Sequence, residues 1–365
     1  MNKITAINYS DENFKNAQML NTQTALIYGA DRVIDYKKND IDKEFFAKNK
    51  EVLAEKRGGG YWLWKPYIIK KTLEQLQRGE YLIYSDSGAC YISSIEPLVN
   101  CMETEDTDIM VFSLNHMEGI WSKRDAFILM DCDSEEYYNT PQRLAGFLVI
   151  KKTCRAYEFV SEWLKYAQDP RIITDRENCM GGENYPGFKE NRHDQTILSL
   201  LSKKYGLKAF RDPSQCITDK AEHVMNQSNY PQIFDLHRMP DVLSVEDIQR
   251  EREKRVRHLL DYWVEDKDIV LYGAGKKAKN ILEFVQNKGL KVAACVVSDD
   301  QYIPEPKIAD VNIYHLNELA SVYVRNDIKI LMTIDIPQIC YTLKMGGYEY
   351  EMIDSETLGA LPYVI

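Results

Sequence analysis

The stretch from Arg57 to Gly88, RGGGYWLWKPYIIKKTLEQLQRGEYLIYSDSG, constrains this chain more than any other. Gly58, Gly59 and Gly60 lead into Tyr61-Trp62-Leu63-Trp64. Lys65-Pro66 then opens a segment in which Ile69, Leu73 and Leu76 recur at i, i+4 and i+7, the spacing of one helical face. Proline suits a first helical turn, and Gly79 suits the stop. Tyr81-Leu82-Ile83-Tyr84 is a continuous apolar run of the kind a strand shows when both sheet faces are covered, and it breaks off at Ser85-Asp86-Ser87-Gly88. Ligands of open α/β sheets bind beyond the carboxyl ends of the strands, so Asp86 stands where chemistry is expected.

GGGYWLWKPYII followed by LIYSDSG is similar to bacterial nucleotide-sugar glycosyltransferases of the GT-A fold, in which a glycine-aromatic-WKP helix precedes a strand ending in D-x-D or D-x-G. The resemblance spans roughly residues 1–240. It implies a GT-A-like mixed sheet flanked by helices and a nucleoside diphosphate sugar as donor. By the same resemblance Asp86, Ser87 and Gly88 lie against the donor's ribose, its diphosphate or a bound divalent metal, manganese or magnesium. Gly88 stands where D-x-D has its second acid, a departure that bears directly on metal dependence.

Size allows two domains, and 44% hydrophobic residues with 11% aromatics suffice for ordinary cores. A formal charge of −10 and a pI near 5.3 argue against nucleic acid as a partner. A nucleoside diphosphate needs only a local basic pocket. The eight cysteines form no C-x-x-C pair and the N-terminus has no apolar signal core, so the expected setting is a reducing cytoplasm. No apolar run approaches the length of a membrane span, which leaves peripheral contact at the inner face of the membrane as the only membrane association expected.

Along the chain, Ile4 to Ile7 reads as a first strand, Asp11 to Leu26 as a helical pattern and Arg32 to Tyr36 as a second strand, the opening of a parallel sheet. The resemblance places the nucleotide base at the end of the first strand, making Tyr9 a candidate for stacking; plain packing is the alternative. Arg57 and Lys65 flank the aromatic loop before a helix start, where free N–H groups favour an anion, and together they would clamp a diphosphate unless both are merely solvated cations. Trp62 and Trp64 read chiefly as core.

Further strands are expected at Asp108 to Leu114 and Arg143 to Ile150, the latter with Gly146 permitting close approach and Gln142 at its entry. By resemblance Gln142 contacts the donor sugar; otherwise it is an ordinary loop glutamine. Between Asp169 and Asn191 lies a long Pro-, Gly- and Asn-rich connection containing Glu183. His193-Asp194-Gln195 then opens a helix whose Ile197 and Leu201 place Asp194 on the inward face. Asp194 is either a backbone cap or, as in the H-D-Q-x-x-L helix starts of the resembled family, a residue beside the acceptor or transferred sugar. His237 resembles the late histidine that completes metal or diphosphate binding, weighed against an ordinary packed histidine.

Ser244 and Asp247 look like a capping pair opening a helix of 241–266 that bridges to a second domain, and its Arg-Glu-Arg-Glu-Lys-Arg run reads as a solvated face. Ile269 to Tyr272, the G-x-G-x-x-A run Gly273 to Ala278, and Val292 to Val297 have the strand-turn-helix-strand order of a Rossmann-like unit over 267–365. Such a short unit has little room for a dinucleotide, so a nicotinamide oxidoreductase lacks a catalytic domain here.

The expected protein is α/β, with a GT-A-like domain over 1–240 and a smaller Rossmann-like domain. Its expected activity is transfer of a hexose-like sugar to a hydroxyl acceptor, a saccharide or lipid-linked saccharide of bacterial surface polysaccharide synthesis. Asp194 and Glu183 are the candidate catalytic carboxylates. Tyr9, Arg57, Lys65, Asp86, Ser87, Gly88 and Gln142 are candidates for the donor, and Asp86 with His237 for a metal. The alternative is a non-catalytic nucleotide- or nucleotide-sugar-binding regulatory protein, which Gly88 favours.

Overall fold

In the computed structural model, which describes residues 2–215, 228–263, 267–334 and 336–364, the chain opens with β1 (Ile4–Tyr9), α1 (Lys15–Ile27) and β2 (Arg32–Tyr36). Then follow α2 (Trp64–Gln75), β3 (Tyr81–Ser85), β4 (Cys90–Tyr91), α3 (Glu96–Thr104), β5 (Ile109–Met117) and β6 (Pro141–Lys151). The first unit, Met1–Leu243, continues through α4 (Cys154–Ala167), α5 (Asp194–Lys204), β7 (Ala209–Arg211) and β8 (Phe234–Asp235).

Its sheet has the order β2-β1-β3-β6-β5-β7. The first three neighbours pair in parallel, whereas β6 runs antiparallel to both β3 and β5. The sheet is therefore mixed, with helices on both faces. Alternate residues of one strand serve two cores: Leu82 and Tyr84 join the cluster containing Ile69 and Leu73 of α2 and Trp163 of α4, while Tyr81 and Ile83 join the one containing Leu98 and Met102 of α3. That is why the run Tyr81 to Tyr84 is apolar at every position. Outside this sheet, β4 and β8 pair antiparallel, Cys90 opposite Asp235.

The second unit, Ser244–Ile365, begins with α6 (Val245–Leu259), capped by the Ser244 hydroxyl, which accepts the Asp247 N–H at 3.1 Å. Val256 and Leu259 of α6 belong to this unit's own core. Then come β9 (Asp268–Tyr272), α7 (Lys276–Asn287), β10 (Ala294–Val297), β11 (Lys307–Ile308), β12 (Val311–His315), β13 (Ile328–Met332) and β14 (Tyr350–Met352), ordered β11-β12-β10-β9-β13-β14. All neighbours are parallel except β11 with β12. With β9 central and the chain stepping outward on either side, this is the doubly wound order. Gly273 follows β9 at φ 112°, where a Cβ would lie 2.6 Å from Thr333 Oγ1, so the turn requires glycine. Among the described residues no helix is long and apolar enough to cross a membrane.

Candidate functional site

A cleft of about 570 Å³ opens in the first unit beyond the carboxyl ends of β1 and β3 and the start of α5. Its centre is Lys65. The first turn of α2 points this side chain into the sheet edge, and the residue is only 3% exposed. Its Nζ stands 2.9 Å from Asp194 Oδ2 and 3.4 Å from Asp86 Oδ1, and donates to the carbonyl of Ala145 at 3.1 Å. Burial opposes its charge, yet Asp194 and Asp86 outweigh burial and hold the ammonium pKa above its ordinary value.

Asp86 takes its place from the end of β3. Its N–H donates to Gly146 O at 2.9 Å and its Oδ1 accepts from the Tyr84 hydroxyl at 2.5 Å. A Cβ at Gly146 would sit 3.3 Å from Asp86 Oδ2, so glycine in β6 gives the carboxylate room. The neighbouring Ser87 hydroxyl donates to Tyr9 O at 2.6 Å and ties the ends of β1 and β3 together.

Asp194 is the first residue of α5 and is buried. Burial raises its carboxyl pKa to about 6, against the opposing pull of Lys65. Its Oδ2 has no hydrogen bond aligned on it. His193 precedes it at φ 57°, ψ −117°, a backbone state rarely adopted outside glycine, with Nδ1 against Ile173 O at 2.8 Å and Nε2 buried without a hydrogen-bond partner.

The glycine-aromatic segment forms a left-handed turn. Gly58, Gly59, Gly60, Tyr61 and Trp62 have φ of 57°, 58°, 102°, 51° and 60°. The glycines adopt this freely; the two aromatics are held in it by the N–H of Tyr61 donating to Arg57 O at 2.7 Å and by ring contacts with His193. Trp64 Nε1 donates to Gly58 O at 2.9 Å while its ring stacks on Tyr9 with centroids 3.7 Å apart. Tyr9, then, lines the cleft with one face already against Trp64.

At the rim, Arg57 donates to Asp175 at 3.1 Å and Glu190 at 2.9 Å, and Arg192 pairs with Glu190 at 2.9 Å. These acids come from the long 169–191 connection.

Of the residues singled out from sequence, Tyr9, Arg57, Lys65, Asp86, Ser87, Gly88 and Asp194 line this cleft together. Three others stand outside its lining. Gln142 is fully buried behind it, with Oε1 accepting from the cleft residue Gln195 at 2.7 Å and Nε2 donating to Glu118 at 3.0 Å. Glu183 is exposed, its carbonyl facing Arg124. His237 is buried, with Nδ1 accepting the Met239 N–H at 3.0 Å. The cleft also contains Lys56, Arg192, Gln195 and Arg238, which sequence reasoning did not place there. The only signal for two of them was the unbroken polar run Arg192 to Gln195 ahead of an apolar helix face.

No protein-family model matches the sequence, and no curated protein matches it. Solved structures do resemble it. A glycosyltransferase involved in the glycosylation of the major capsid of PBCV-1 is 14% identical with a TM-score of 0.33, covering 64% of this chain and 92% of that one. Mouse xyloside xylosyltransferase 1 in its apo form is 9% identical with a TM-score of 0.36, covering 63% and 94%. Galactosyltransferase LgtC, solved with donor and acceptor sugar analogues, is 16% identical with a TM-score of 0.33, covering 63% and 85%.

Proposed function

We propose that the first unit is a glycosyltransferase using a nucleoside diphosphate sugar. The observation that carries this reading is the constellation of buried Lys65 and Asp194 with half-buried Asp86 at the carboxyl end of β3, inside a cleft whose other charged walls are mostly cationic. The cleft's volume is that of a small-molecule site, and the β3 motif is the one that resembles GT-A enzymes.

In this reading Asp86, partly exposed to the cleft, accepts hydrogen bonds from hydroxyls of the donor's ribose or sugar. The cations of the wall face the diphosphate and stabilise the charge that grows as it leaves. The bond from the sugar's anomeric carbon to the diphosphate oxygen breaks, and a bond from that carbon to the acceptor oxygen forms. The acceptor's proton passes to Asp194 in an inverting course; in a retaining course Asp194 positions the sugar and the proton goes to the departing phosphate. A saccharide or lipid-linked saccharide of bacterial surface polysaccharide, met on the cytoplasmic side at the membrane periphery, is the acceptor class we favour.

The second reading is a nucleotide-sugar-binding regulatory protein, favoured by Gly88 in place of the second acid. The two separate on Asp86→Asn and Asp194→Asn, assayed by calorimetry with UDP, GDP and ADP and by initial-rate transfer from the corresponding sugar nucleotides. As a transferase, Asp86→Asn weakens nucleotide binding about tenfold, a lost charged hydrogen bond. Asp194→Asn binds within about twofold of wild type and turns over on the order of a hundredfold more slowly. Asp194→Asn transferring sugar at the wild-type rate would sink the catalytic assignment; nucleotide binding with no transfer by the wild type would leave the regulatory reading.

A further inference from the structure

We propose that this site holds a nucleoside diphosphate without a divalent metal: the Lys65 ammonium fills the place between Asp86 and Asp194 that a metal would take, and exposed cations of the wall, Arg238 beside Gly88 and Lys56, face the diphosphate. The inference rests on the transferase reading and specifies how its donor is held.

Three observations converge. First, the space between the two carboxylates is filled. A manganese or magnesium ion bridging them would need the position that Lys65 Nζ occupies, 2.9 Å from one and 3.4 Å from the other. Asp86 Oδ1 also accepts from Tyr84 at 2.5 Å. Among the described residues no three His, Cys, Asp or Glu side chains converge as a metal site, and His237 points its Nδ1 at the Met239 N–H outside the cleft lining.

Second, packing disfavours a second acid at 88. A Cβ at Gly88 would lie 3.2 Å from Arg238 Cα and 3.6 Å from its nitrogen. The Arg238 backbone cannot easily withdraw. Its N–H donates to Gly88 O at 2.7 Å, and the segment before it is pinned by β8 pairing with β4. A side chain at 88 would therefore have to push this backbone aside by a few tenths of an ångström.

Third, exposed cations stand on the cleft wall. Five lysines and arginines line the cleft against three aspartates, in a chain whose net charge is −10. Exposed cations on the wall of a cleft are suited to an anion. Arg57 and Arg192 are engaged by Asp175 and Glu190, whereas Arg238 at the Gly88 end and Lys56 are exposed on the cleft wall.

The test is calorimetry on the full chain with UDP, GDP and ADP, in EDTA and in Mn²⁺, and with Mn²⁺ alone. At least one nucleotide binds in EDTA with an affinity within about twofold of that in Mn²⁺, and Mn²⁺ alone gives no binding to the wild type. Arg238→Ala, a surface change, weakens binding in EDTA about tenfold. Lys65→Met vacates the space between the carboxylates, so Mn²⁺ alone now binds and raises that variant's Tm. A requirement for Mn²⁺ of tenfold or more, or unchanged binding by Arg238→Ala, overturns the inference and leaves the transferase reading intact. Absence of nucleotide binding under both conditions overturns both. Should Lys65→Met fail to fold, the EDTA comparison and Arg238→Ala decide alone.

Discussion

The ring of Trp62 lies against that of His193, centroids 5.4 Å apart at 26°, and both residues hold positive φ angles, 60° and 57°. Two unfavourable backbone states thus meet at one wall of the cleft, each held in place by the other's side chain. Such strain persists only where the surroundings over-determine it.

Gly58 and Gly60 beside this contact have no room for a side chain. At Gly60, φ 102°, a Cβ would fall 2.7 Å from Leu53 Cα, whereas at Gly29, φ 113°, nothing lies within 4 Å. Gly60→Ala should cost about 2–4 kcal/mol, conformational strain plus overpacking, and Gly29→Ala about 1 kcal/mol. Urea denaturation of both variants checks this; equal losses would mean that the close packing against Leu53 contributes nothing.

Lys65 and Asp194 should couple strongly in stability. Lys65→Met leaves two carboxylates facing each other without a counter-ion and should cost about 3–5 kcal/mol in EDTA. Adding Asp194→Asn removes one of those charges, so the double variant should be more stable than Lys65→Met alone. A double-mutant cycle by chemical denaturation measures the coupling, and strict additivity would contradict the ion pair.

The pH dependence follows from Asp194, whose folded-state pKa is raised from 3.8 to about 6 by burial. Between those values the folded chain binds this proton and the unfolded chain does not. This group's contribution to stability is therefore present below pH 3.8 and is lost as pH rises through about 6. With Asp194 as the proposed acceptor of the proton, activity runs the other way: the transfer rate should rise with pH and level off above about 6. A rate profile flat from pH 5 to 7 would show that Asp194 does not titrate in turnover.

Gln142 should act through Gln195. Gln195 Oε1 accepts the Ala145 N–H at 3.1 Å, and the Ala145 carbonyl accepts from Lys65, so Gln142 fixes the amide that in turn fixes the central cation's support. Gln142→Ala leaves buried Glu118 short of a donor and should cost about 1–3 kcal/mol. Its rate loss should be smaller than that of Asp194→Asn while nucleotide affinity stays near wild type. Denaturation, calorimetry and initial rates on the one variant test all three; weakened nucleotide binding would place Gln142 in donor recognition instead.

Much of the frame was legible in the chain because local pattern and tertiary environment agree. Tyr81 to Tyr84 is apolar throughout and is covered on both faces, and the spacing of Asp194 to Ile197 and Leu201 marked the buried side of α5. Strand direction was not legible: Ala145 to Ile150 reads equally well either way, and only the connection lengths and packing turn β6 antiparallel to its neighbours. Nor were the partners of Lys65, since both acids lie far along the chain and a helix-start lysine has the same sequence signature in water or in a salt bridge. Tyr61, Trp62 and His193 carry backbone angles that residue type disfavours, so propensity pointed away from them. Arg238 sits in an irregular segment with no period to reveal which way it faces.

Phe234 stacks on Phe147 of β6 at 4.3 Å and pairs through β8 with β4, bringing Leu236 and Arg238 to a cleft that also uses Tyr9 at the end of the first strand and Ser10 and Asp11 just after it. The cleft is closed by residues from near both ends of the unit. On a ribosome, which delivers the chain from Met1 onward, most of the sheet can pair before residue 234 has left the exit tunnel, but the wall carrying Arg238 cannot exist. A nascent chain therefore has no finished cleft until this unit is almost wholly synthesised, and a ligand of the cleft cannot assist its earlier folding steps by binding there.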